Sequence, residues 1–201
     1  SSATSLAATE LMLADTALGA RLKDTRTVLR YLSGRADLDP KRVVLWGDSF
    51  AGVNPRGLLL DQSVDQQPGP QAIQQAQPLG SLLALLAALY EDDVRAVAVR
   101  RGLVSYLSVL QDRFCYVPQD VIVPSILESA DIVDVIAALC PRAVFLEGFV
   151  DGRNRVLSTS ELEGELKAAL AVYRGARSQL VVREQAAEPE LATWMAGQIS
   201  R

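Results

Sequence analysis

Histidine is absent from this chain of 201 residues. A Ser-His-Asp or Cys-His catalytic set therefore cannot be assembled from the chain alone, and neither can a zinc site that uses histidine. Cysteine is scarce. Cys115 and Cys140 are too few for a four-cysteine metal centre, and a domain of this length needs no bridge, so both read as free, partly buried thiols. No cofactor or metal is expected. Basic residues do not dominate: 20 Lys and Arg face 24 Asp and Glu, a net charge of -4. That excludes a dedicated nucleic-acid binder, which needs a basic face for phosphate. Long apolar runs are missing too. The longest, 82–90, has the length of a core helix and falls short of the roughly 18 residues of a membrane span. Ser1-Ser2-Ala3 opens no basic segment followed by an apolar one, so no signal peptide is read. No internal repeat is evident.

Apolar residues are abundant, at 49%. A chain of this length buries roughly 70% of its unfolded surface, enough for a core without metals or disulfides. Residues 1–201 are read as a single domain.

The apolar pattern alternates between two kinds of segment. Four short runs lack polar alternation and read as buried parallel strands: 42–46, 94–99, 143–147 and 179–183. Helical stretches lie between and around them. Leu11, Leu18, Leu22, Val28, Leu29 and Leu32 predict one amphipathic helix over 9–33, closed by Gly34 in a left-handed conformation. Further helices are predicted over 79–90, over 131–139 with Ser129 as N-cap, and over 159–174. Ser158 with Glu161, or Ser160 with Glu163, supplies a capping box for the third of these. A last helix spans 189–199, with Pro189 in its first turn. Strands alternating with helices predict an α/β fold: a small, mostly parallel sheet of about four strands, flanked by helices in three layers and joined by right-handed crossovers.

Two connections are long. Residues 54–78 form a Pro- and Gln-rich loop of about 25 residues, a length usually tied to function. Residues 100–128 carry Phe114, Tyr116 and Ile126 and are expected to pack on the domain body.

The chemistry-bearing segment is Gly47-Asp48-Ser49-Phe50-Ala51-Gly52, directly after the first strand. A serine among small residues at a strand's end sits on a sharp turn that lifts its hydroxyl into the crevice where open α/β sheets bind ligands. The Phe50 N–H would then be an oxyanion donor. A capping serine in an ordinary strand-to-loop turn is the plainer alternative.

With this segment in place, the chain resembles the α/β-hydrolase superfamily, and most of all its acetyl-xylan-esterase and dienelactone-hydrolase-like branch. The matching text is Arg30-Tyr31-Leu32-Ser33-Gly34-Arg35, then Asp37-Leu38-Asp39-Pro40-Lys41-Arg42-Val43, the serine turn, and the strand 94–99. It continues through Phe145-Leu146-Glu147-Gly148-Phe149-Val150-Asp151. The resemblance covers about residues 15–199 and corresponds to the C-terminal half of the family's sheet. It implies a serine ester hydrolase acting on a carbohydrate or similar ester, with Ser49 as nucleophile, Asp151 as acid and Phe50 in the oxyanion hole. It also implies a histidine near 183–187, where Glu184 and Gln185 stand instead. The chain is thus expected to be incomplete or inactive alone, or to be a non-catalytic domain that keeps the fold for binding or structure. In the family the strand matching 42–46 is paired on both sides. Its free edge is therefore expected to be covered by a further N-terminal domain, by self-association, or by the 54–78 loop.

Gly47-Asp48-Ser49 with Gly152-Arg153-Asn154 is also similar to blocks of the GDS-type (SGNH) esterases, whose late Asp-x-x-His is missing here. Asp48 reads as a turn carboxylate, and Asp120 and Asp134 as surface charges. Arg100-Arg101 could hold an anionic group, although a solvated pair is the simpler reading. Trp46, Phe114, Tyr116 and Phe149 could line a sugar-sized pocket or simply pack in the core.

Overall fold

The computed structural model describes residues 2–58 and 73–200. Helices α1 (Ser2–Met12) and α2 (Ala17–Ser33) lead into strand β1 (Val43–Asp48). After the long loop come α3 (Leu79–Tyr90), β2 (Val94–Arg100), the short α4 (Leu107–Leu110) and α5 (Ile132–Ala138). The chain ends with β3 (Ala143–Glu147), α6 (Thr159–Glu165), α7 (Lys167–Val172), β4 (Leu180–Arg183) and α8 (Glu188–Ile199). The four strands form one all-parallel sheet in the order β1-β2-β3-β4.

The apolar runs form strands because both faces of the sheet are covered. Val97, Val99, Val144, Leu146 and Leu180 point into the larger core, built with α2, α3, α5, α6 and α7. Their neighbours Ala98 and Phe145 point the other way, onto Leu191, Trp194 and Met195 of α8. Phe145 and Trp194 meet at 5.4 Å in a tilted ring contact. The result is three layers, with α8 the one helix on that face among the described residues.

One close approach sets where β1 ends. A Cβ on Gly47 would lie 2.3 Å from the Gly80 carbonyl oxygen, so only glycine lets the first turn of α3 sit on the strand. This contact returns the chain to the end of β1 after the long loop. The predicted 54–78 loop is described only at its ends; residues 59–72 lie outside the described residues.

Several local expectations are corrected. The helix over 9–33 is two helices. Thr16 caps α2 by accepting a hydrogen bond from the Gly19 N–H at 2.9 Å, and Ala14 takes a left-handed φ of 58° in the break. Gly34 ends α2 in a right-handed conformation, because its N–H reaches carbonyls of the last turn without reversal. Asp131, not Ser129, caps α5 in a capping box with Asp134. Ser158 and Glu161 form the predicted box on α6, but the helix breaks at Leu166 before α7. The 100–128 connection does pack on the body: Tyr106 donates its hydroxyl to the Val121 carbonyl at 2.6 Å, and Val121 is fully buried.

β1 pairs with β2 alone, and no strand lies on its other side among the described residues. Trp46 is 51% exposed there. Among the described residues no helix is long and apolar enough to cross a membrane.

Candidate functional site

The sheet's C-terminal rim gathers the residues that the sequence singles out. Ser49 follows β1 directly and is buried, with 3% exposure. Its N–H donates to the Arg100 carbonyl at 3.3 Å, which extends the β1–β2 ladder by one residue. Its Oγ accepts from the Gln77 N–H at 3.2 Å, just ahead of α3. Among the described residues no base or carboxylate bonds to this hydroxyl. The hydroxyl therefore ties the two ends of the long loop together and does not stand open over the sheet. The Phe50 side chain is 86% exposed. Its N–H makes no hydrogen bond among the described residues.

Asp151 lies beyond β3, in a tight turn that folds around its carboxylate. Oδ1 accepts from the Arg153 and Arg155 N–H groups, each at 2.9 Å. Oδ2 accepts from Arg155 Nε at 2.9 Å and from Nη2 at 2.6 Å. Four donors from its own turn saturate the carboxylate. It makes no hydrogen bond to Ser49.

Two asparagines hold the serine loop against the acid's turn. Asn54 Nδ2 donates to the Gln74 and Arg153 carbonyls at 2.9 and 2.8 Å, and its Oδ1 accepts from the Gln74 N–H at 2.8 Å. Asn154 Nδ2 donates to the Gly52 and Gln74 carbonyls at 2.9 and 3.0 Å. Both are almost fully buried, at 3% and 2% exposure, so these bonds satisfy groups that would otherwise be costly to bury. Asn154 adopts φ 59°, a left-handed conformation that asparagine tolerates better than most residues. The Asp151-Gly152 turn signal, with Asn154 just after it, is the cue through which the sequence points to this network.

Beside these loops the strand ends open into a crevice of about 490 Å³. Arg100, Arg101, Glu147, Glu184, Gln185 and Glu188 supply its polar wall. The paired arginines are not a solvated pair. Arg100 is 8% exposed; its Nε donates to Glu147 at 2.5 Å and its Nη1 to Glu188 at 3.4 Å, and Asp48 lies 3.8 Å away. Its guanidinium also sits over the Trp46 ring at 5.9 Å. Burial raises the Asp48 carboxyl above the usual range, and the positive charges of Arg100 and Arg101 oppose that rise. Asp48 is therefore part of an ion cluster, not an isolated turn carboxylate. Burial opposes the charge on Arg100, but its hydrogen bond to Glu147 and the nearby carboxylates outweigh this and raise its pKa.

Glu184 and Gln185 do stand on this crevice, as their place after β4 predicts. Glu184 Oε2 accepts from the Thr159 N–H at 3.1 Å and from its hydroxyl at 3.3 Å. Of the four aromatic residues read as core or pocket, Phe149 is core and Trp46 is exposed; neither lines the crevice. Ser49 and Asp151 do not line it either. Both thiols are free, with Cys115 exposed and Cys140 half-buried. Among the described residues no group of three or more Cys, Asp or Glu could hold a metal ion. No family model, curated protein or solved structure matches this chain.

Proposed function

We propose that this chain is an α/β-hydrolase-like domain of acetyl-xylan-esterase lineage that does not turn over esters by itself. The lineage is supported by four parallel strands in chain order, the serine at the end of the first and the acid after the third. The free edge of β1 fits a sheet that continues into a further domain or a second copy. The lack of turnover rests on one observation above the rest: Asp151 is closed by Arg155 and its own turn, with no lone pair directed toward a base for Ser49. A serine without a base keeps its proton, and loss of a triad member leaves only about 10³- to 10⁴-fold acceleration over water. The crevice at the strand ends then serves binding.

The GDS-type alternative finds no support in the 152–154 turn. An oxyanion donor there would need a free Asn154 amide hydrogen, and both are held by carbonyls.

Fluorophosphonate labelling of the chain, together with p-nitrophenyl acetate hydrolysis, tests the proposal, with Ser49→Ala as control. The expected result is no labelling at Ser49 and the same slow hydrolysis from both proteins. Rapid labelling that Ser49→Ala abolishes would overturn it.

A further inference from the structure

Arg100 and Arg101 are adjacent in the chain and opposite in role. Arg100 is spent on Glu147, Asp48 and Glu188. Arg101 donates from Nη1 to the Ala51 carbonyl at 3.1 Å and has no carboxylate within ion-pair reach among the described residues. The rest of its fork is left for another acceptor. Its backbone is held at φ 52°, a left-handed conformation that is unfavourable for a bulky L residue. The constraint comes from its N–H, which donates to the Glu147 carbonyl at 2.8 Å, and from the turn off β2 that it starts. Gly148, the matching residue just after β3, is also left-handed at φ 62°, and a Cβ there would touch Arg101 Cγ. Two left-handed residues side by side thus follow the ends of β2 and β3, and both line the crevice.

The crevice wall carries three carboxylates, and their bonding decides its character. Glu147 and Glu188 share the one Arg100 guanidinium, at 2.5 and 3.4 Å. Glu184 is held by the Thr159 N–H and hydroxyl and has no ion-pair partner among the described residues. Arg101 and Glu184 therefore face one small space as a cation and an anion with no ion-pair contact among the described residues, and the Gln185 amide lies beside them. A guanidinium fork takes a carboxylate in two parallel hydrogen bonds. A carboxylate nearby accepts hydroxyl hydrogens. A volume of about 490 Å³ suits a ligand the size of one sugar ring.

We propose that this crevice binds a hydroxylated carboxylate, of the sugar-acid class, with Arg101 on its carboxylate and Glu184 and Gln185 on its hydroxyls. The inference rests on the reading of the strand ends as a binding crevice, and it does not require turnover. Binding and Ser49 labelling are separate measurements, so either can fail alone.

Calorimetric titration of the chain with glucuronate, glucose and acetate tests it. Glucuronate is expected to bind at least tenfold more tightly than the other two. Glucose lacks the carboxylate for Arg101, and acetate lacks the hydroxyls for Glu184. Arg101→Asn keeps the left-handed preference while removing the charge, and is expected to weaken glucuronate binding at least tenfold with unchanged circular dichroism. If that variant unfolds, Glu184→Gln is the second probe, with a smaller loss for glucuronate and none for acetate. Equal binding of glucose and glucuronate, or full affinity in folded Arg101→Asn, would overturn the proposal. Acetate binding as tightly as glucuronate would overturn the sugar-acid assignment and leave a simple acyl carboxylate as the ligand.

Discussion

β1 and β3 are built from similar residues and live in different surroundings. Val-Phe-Leu of β3 is buried at every position, with strands on both sides and helices on both faces. Val-Val-Leu-Trp of β1 is half-buried to exposed, with a strand on one side only among the described residues. The strand sequence thus states the tendency to be buried, and the neighbours decide whether it is met. An apolar parallel strand at an open edge has the composition of an interior strand and the exposure of a surface one.

The first way to break this comparison is to truncate the largest side chain at each place. Phe145→Ala removes a ring that is 1% exposed and packed on Trp194, and should cost about 4 kcal/mol in denaturant unfolding. Trp46→Ala removes a half-exposed ring that lies 5.9 Å from the Arg100 guanidinium, and should cost less than about 1 kcal/mol. Equal losses would mean that β1 is buried by a partner under the conditions of measurement. Sedimentation of the two variants would then show it.

A second prediction concerns charge. Arg100→Met leaves Glu147 and Asp48 buried without their cation, and should cost about 3 kcal/mol. Adding Glu147→Leu removes the orphaned charge and should recover much of the loss, because apolar residues replace buried ion pairs well. If the double variant is as unstable as the single one, packing of the Arg100 stem, not its charge, holds the rim.

The parts of this fold that are legible in sequence depend on near neighbours. The four apolar runs, the 79–90 helix and the capping box at Ser158 are each set within a few residues, and the structure has them close to where the pattern puts them. The split between α1 and α2 escaped because the leucine period runs across it, while the decision lies in one threonine cap. Ser49 was found by its place after a strand, but its closure was not visible. Gln77 is 28 residues away in sequence, and Asn54 meets Arg153 across 99. Arg101 shows the same limit. Its type hinted at an anion, and only the structure separates it from Arg100.

The smallest effect is expected away from the sheet, at Asp120. The rim buries its charges with partners, whereas Asp120 Oδ1 is buried with no hydrogen-bond partner. Burial raises its pKa above the ordinary carboxylate value, with a backbone hydrogen bond opposing. The folded state therefore holds this proton more tightly than the unfolded chain does. Its contribution to stability is fully present below the unfolded pKa, near 3.9, and is lost as pH rises through the higher folded value. Asp120→Asn removes the charge that must be buried at neutral pH. The residue is only half-buried, so water screens much of the effect, and the variant should raise Tm by about 1–2 °C at pH 7 and by nothing near pH 3. A variant that melts lower than the parent at pH 7 and equally with it near pH 3 would mean that the ionised Asp120 has a stabilising partner, and the contrast between a partnered rim and an unpartnered periphery would fail.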